Sequence, residues 1–239
     1  MRADTYLCNE KGSMSIVTLC TLALVIAGSI YMFYFFAVYI EKRQAQNIAD
    51  AASLAAVQVL RDKFEEAMKK KTGETVEQFL AELSSEYEAI DPEEGRPPFE
   101  EFKKSYINDH LQSDELKRKL IADSYDNDDD WPLVVKEKHF ADLFTARKNG
   151  DMLYDAYNQN AGLIQAAAQD AIELNHGKPS GKITFPDEKK PKLLLEASRT
   201  IRIDAIGLEK EIVTVAAAGV GSKHFDLDVS GKTPRDIRW

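Results

Sequence analysis

From Gly12 to Ile40 the chain carries no charge, and after Gly28 neither glycine nor proline appears before Gly73. A helix rising ~1.5 Å per residue crosses a ~30 Å hydrocarbon core in roughly 20 residues. The uncharged stretch is long enough to span with some tilt. It exceeds the roughly 7–15-residue apolar region of a cleaved signal, and no A-x-A-like site precedes Glu41, so a retained anchor is expected. The aromatics of "YMFYFFAVY" (Tyr31–Tyr39) gather where rings meet lipid headgroups. With no helix breaker behind it, the same helix is expected to continue out of the bilayer.

That continuation has two unlike faces. At helical spacing Ala45, Ile48, Ala49, Ala52, Ala55, Ala56 and Val59 fall on one side. Arg43, Gln46, Asn47, Asp50, Ser53 and Arg61 gather on another. Alanine is the best helix former and the smallest side chain that keeps a Cβ, so the first face admits close approach of another backbone. Ile48 and Val59 within it point to burial rather than to propensity alone. It is expected to pack against a partner helix.

Further on, helical spacing in "ETVEQFLAELSSEYEA" (Glu74–Ala89) marks a second helical region. "DPEEGRPP" (Asp91–Pro98) breaks it, and Phe99–Tyr125 reads as one or two charged amphipathic helices. "DNDDDWP" (Asp126–Pro132) reads as a loop, His139–Lys148 as a short helix and "NGD" (149–151) as a turn. Asp151 would then cap a helix through Leu174 with Leu153, Tyr157, Ile164, Ala168 and Ile172 inward, ended by Asn175–Gly181. From there the period becomes two. In "KLLLEASRTIRIDAI", Leu193, Leu195, Ala197, Ile201, Ile203 and Ala205 alternate with polar residues, Arg199 being the exception. "IVTVAAAGV" returns as a strand apolar on both faces.

The expected class is α+β: one transmembrane helix continuing into a long juxtamembrane helix, a helical middle and a small C-terminal antiparallel sheet. The expected divisions are a short cytoplasmic tail (1–11), the anchor (12–40), a juxtamembrane helix (41–73), an acidic helical region (74–177) and a β-rich part packing on the helices (178–239).

A net charge of -9 with 30% charged residues argues against nucleic acid, which needs basic clusters. Cys8 and Cys20 both precede Glu41, so no disulfide framework can form beyond it. Lysines and arginines flank the span on both sides, and their count leaves its orientation open. Catalytic patterns are missing: there is no H-E-x-x-H and no G-x-S-x-G, and His110, His139, His176 and His224 are scattered. No enzyme activity and no cofactor are expected. One metal pattern stands out. Counting Asp126 as position 1, Asp128, Asp130 and Glu137 take positions 3, 5 and 12 of an EF-hand loop. Trp131 replaces the glycine of its sharp turn and Pro132 follows, so a solvated loop is the preferred reading and calcium the alternative.

The order of glycine-led span, polar step "EKRQAQN" and "IADAASLAAVQVL" resembles the N-terminal module of TadE/TadG-like proteins of the tight-adherence (Flp) pilus-assembly system. Their recurrent core reads Q-N-A-A-D-A-A-A-L-A; Gln46, Asn47, Ala49, Asp50, Ala51, Ala52, Leu54 and Ala55 fit it. A fainter echo lies in "AAAQDAIELNHG", "KITF" and "IVTVAAAGVG". Cleaved prepilins carry a glutamate five residues after their glycine, where this chain has Val17, so the resemblance is to the uncleaved, TadG-like kind. It implies a bacterial single-pass membrane protein with its bulk outside the cytoplasm, acting without catalysis in pilus assembly or surface secretion. Other pilus-assembly membrane proteins, or a second copy, would be its partners, and Asn47 and Asp50 would be the motif's polar residues. The alternative is a single-span extracytoplasmic binding module for calcium or a surface ligand.

Overall fold

The computed structural model describes residues 10–92, 95–203, 207–222 and 225–239. Most of the tail expected at 1–11 therefore lies outside the described residues, as do Ala205 and His224. Helix α1 runs without a break from Glu10 to Ala89, 80 residues, or ~120 Å at the helical rise. It passes straight through the division expected at residue 73. Gly73 is not a break but a contact point, because a Cβ there would lie 3.3 Å from the Asn127 side chain. Asn127 reaches across to donate to the Lys69 carbonyl at 2.7 Å, and its Oδ1 lies 3.1 Å from the Thr72 hydroxyl. What ends α1 is Pro92, which disfavours helical backbone at Asp91. Arg96 then folds back over the Tyr87 ring at 3.9 Å and donates to the Tyr87 carbonyl.

Helices α2 (Phe99–His110) and α3 (Asp114–Ile121) follow, as the amphipathic pattern predicts. The supposed loop at 126–132 is instead the start of α4 (Asn127–Lys136), with Asp126 as its N-cap. Asp and Asn are good caps and acids suit a helix N-terminus, so the acidic run favours a helix start as much as a loop. A 3₁₀ turn at Lys138–Phe140 and α5 (Ala146–Gln159) replace the helix expected at 139–148. "NGD" is no turn. Thr145 caps α5 by accepting from Lys148 N, so Asn149 and Gly150 sit buried in its first turns. A Cβ on Gly150 would lie 1.9 Å from the Asp228 carbonyl oxygen, so that glycine exists for close approach. Asn160 divides α5 from α6 (Ala161–Leu174), which the sequence reading ran together. The inward residues match that reading: Leu153, Tyr157, Ile164, Ala168 and Ile172 are all fully buried.

The sheet comprises β1 (Gly181–Phe185), β2 (Lys192–Ile203), β3 (Leu208–Gly219) and β4 (Arg235–Arg238) in the order β3-β2-β1-β4, every pair antiparallel. The period-two pattern holds along β2, where Leu193, Leu195, Ala197 and Ile201 are buried. On β3, Thr214, Ala216 and Ala218 face inward while Val213 and Val215 stay exposed, which accounts for a strand apolar on both sides. The short β4 gave no periodic signal. The fold is α+β, with α1 as its axis. Its residues Ala45, Ile48, Ala49, Ala52, Ala56, Leu60, Phe64, Met68, Val76, Phe79 and Leu83 form one buried stripe. The sheet and α6 cover the stripe near residue 48, α4 and α5 its middle, and α2 its far end.

Candidate functional site

The informative region is where α1 leaves its apolar segment. From Ser15 the helix contains a stretch with mean hydropathy 2.2 that is long and apolar enough to cross a membrane, and none of that stretch is buried in the chain. Burial begins at the end of it. Glu41, the first charge, pairs with Arg199 of β2 at 3.1 Å, both side chains mostly shielded. This explains why the alternation along β2 breaks at Arg199: the position faces α1, and a carboxylate is waiting there. One turn on, the Thr214 hydroxyl donates to the Ala45 carbonyl at 2.9 Å. Gln46 Nε2 lies 3.0 Å from Asp50 Oδ1 and 3.3 Å from the Val215 carbonyl oxygen, tying the helix to the outer strand β3.

The alanine face is closely packed, but the occupant is the chain's own fold. Ala45, Ile48, Ala49, Ala52 and Ala56 are at most 2% exposed, Ala55 and Val59 partly covered. A Cβ on Gly177, just past α6, would sit 2.9 Å from the Ile48 side chain. The helix expected to fill this face from another protein is replaced by α6 and by strands β2 and β3. The face is sterically closed to a further helix, because small side chains have already drawn these elements close.

The other side is open. Asn47, Asp50 and Leu54 are exposed, Leu54 at 64%. Ser53 is buried and turns its hydroxyl back to the Asp50 carbonyl at 2.9 Å. The exposed Asp50 carboxylate accepts from the Gln46 side-chain amide. The motif's polar residues thus form a surface feature on the side of α1 away from its buried stripe.

The four acids with EF-hand spacing do not converge. Asp126 Oδ1 accepts from Asp128 N at 2.9 Å, and Asp128 is exposed, 3.7 Å from Lys69. Asp130 is buried, taking Lys119 on one oxygen and the Asp126 N–H on the other. Glu137, 1% exposed, accepts from the backbone of Gln112 at 3.0 Å, Ser113 at 2.8 Å and His139 at 3.3 Å. Burial pushes both buried carboxyls up, yet those donors overcome it and leave each below the ordinary carboxylate range. The oxygens of Asp126, Asp130 and Glu137 serve as helix caps and a buried ion pair while Asp128 stays exposed, so the spacing of Asp126, Asp128, Asp130 and Glu137 does not gather them into one ligand set. Among the described residues no three His, Cys, Asp or Glu side chains are placed to hold a metal.

Sequence distance hid one grouping. His110 and His139 meet 5.7 Å apart around Phe79, with His110 stacked on Tyr106 at 4.0 Å. The rings serve as aromatic packing for the far end of α1.

Residues 12–59 match the family model described as "Putative Flp pilus-assembly TadE/G-like". Comparison with curated proteins and with solved structures returned no match. The matched segment begins in the apolar stretch and ends within the packed part of α1, so it covers the junction where burial begins. Over residues 12–59 the chain is similar to the TadE/TadG-like proteins of the Flp pilus-assembly type.

Proposed function

We propose that this protein is a non-catalytic, membrane-anchored component of a Flp/Tad-type pilus assembly or surface secretion apparatus, holding an α+β domain outside the cytoplasm for protein–protein contacts. The observation that carries this reading is the family match over the membrane exit. It is supported by the exposure of Asn47, Asp50 and Leu54 within the matched segment, on a helix whose other face is occupied. A surface that combines a fixed carboxylate, an amide and an uncovered leucine suits contact with another membrane protein of the assembly. The calcium-binding alternative has no such support, since the carboxylates of Asp126, Asp130 and Glu137 already serve the fold.

A photo-crosslinking residue at Asn47 or Asp50, introduced in cells making pili, should yield adducts with other assembly proteins. The same residue at Glu82, far along α1, should not. A C-terminal alkaline phosphatase fusion should be active, which requires an extracytoplasmic C-terminus. Deletion that leaves pili unaltered, together with no adduct at either position, would reject the assembly role.

A further inference from the structure

Along the apolar part of α1, from Ser15 to Ile40, only Tyr34 and Ala37 among the described residues are shielded by the rest of the chain. With Glu41 and Ala45 they make one stripe at spacings of three and four. The covers of its later members are known: Thr214 reaches Ala45, and Arg199 reaches Glu41. Thr214 pairs with Ala197, so the move from Ala45 to Glu41 on the helix is a move of two residues along β2, toward its Ile203 end. Two strand residues advance ~6.6 Å and four helical residues ~6 Å, so the two elements keep step. The next inward position, Ile201, is 3% exposed and falls level with Ala37. The last paired position, Ile203 with Leu208, falls level with Tyr34. The hairpin therefore runs beside the final two turns of the apolar segment, not clear of it.

This limits where the hydrocarbon can end. Among the described residues β3 is an edge strand whose outward backbone groups have no strand partner, and it carries Glu209, Lys210 and Glu211 exposed. Unpaired backbone and charges of this kind are excluded from a bilayer core. Gly12–Phe33, ~33 Å of helix, suffices to cross that core without the turns beside the hairpin. Tyr34 and Tyr39 then lie at the depth where tyrosine is favoured.

We propose that the paired residues Ile201–Ile203 and Leu208–Lys210 of β2 and β3 form a membrane-interface contact, seated in the phospholipid headgroup layer beside the exit of α1, where they fix the depth of the span. This rests on α1 crossing a bilayer. Full-length single-cysteine chains, with Cys8 and Cys20 changed to serine, test it. An environment-sensitive fluorophore is placed at Leu24, Lys210 or Glu82 and the protein reconstituted in phosphatidylcholine–phosphatidylglycerol vesicles. Lipids spin-labelled at the headgroup should quench the label at Lys210 strongly and leave Glu82 bright; lipids labelled deep in the acyl chain should quench Leu24 alone. Glu209 provides a second hairpin position if labelling at Lys210 disturbs folding. Quenching at Leu24 with both hairpin positions as bright as Glu82 would overturn the proposal while leaving the span in place. No quenching at Leu24 would overturn the span itself and the proposal with it. Disulfide cross-linking between copies through a cysteine at Lys210, without lipid quenching, would make the hairpin a protein interface and reject the lipid contact.

Discussion

Two carboxylates show how much a single residue can determine. Glu137 is buried with three backbone N–H groups aimed at it, so Glu137→Ala would leave three part-buried donors without their shared acceptor. The expected loss is roughly 2–3 kcal/mol, seen as a lower melting temperature of the full chain in detergent. Its pH dependence has a definite sign. Glu137 and Asp130 both titrate lower in the folded protein than in the unfolded chain. Their stabilisation is complete above the unfolded carboxylate range, about pH 4, and is lost as pH falls through their folded values. The melting temperature of the native chain should fall steeply in that acid window. Glu137→Gln should start lower at neutral pH and fall less. At Gly150 the constraint is steric. Gly150→Ala would drive a methyl into the Asp228 carbonyl, costing about 1–3 kcal/mol as the C-terminal segment is pushed away, which thermal unfolding would register.

At the scale of elements, α1 is the test case for what a sequence can say. Its apolar span, its continuation and its alanine face were all legible, because each is a local periodicity with no breaker inside it. The occupant of that face was not legible, since α6 and the sheet lie more than a hundred residues away in sequence. The same limit applies to Arg199, which looks like a flaw in a strand until Glu41 is seen opposite. Glycine and asparagine misled in the other direction. "NGD" reads as a turn, yet both residues serve tertiary contacts inside a helix: Asn149 donates to the Phe144 carbonyl and Gly150 admits Asp228. The acidic run at 126–130 matched a ligand spacing by composition, whereas its hydrogen bonds are those of a helix start. Two substitutions on α1 separate its faces. Ala52→Leu should overpack the core and cost about 1–3 kcal/mol, while Leu54→Ala should stay within about 0.5 kcal/mol by chemical denaturation. Nearly equal effects would mean that the face is looser than its burial implies.

At the scale of the whole molecule, the anchor and the domain are one continuous object. The domain is wrapped around the same helix that enters the apolar span, with the Glu41–Arg199 pair at the junction. Helix-breaking at that junction should therefore do more than add a hinge. Lys42→Pro removes a helical hydrogen bond and should destabilise the domain by ~3 kcal/mol or more, even though Lys42 is itself exposed. Limited proteolysis of the variant should cut between span and domain, where the native helix resists.

The long axis has a further consequence for the order of events in synthesis. The alanine face of α1 emerges from the ribosome early, yet the strands that close over it span residues 192–219, near the end of the described chain. Contacts between segments so far apart form late. Until α6 and then these strands are made, an apolar helical face stands uncovered just beyond the apolar span. A nascent chain of this design has reason to need a holding factor until those strands are made, and truncation before residue 192 should leave an aggregation-prone helix in place of a smaller domain.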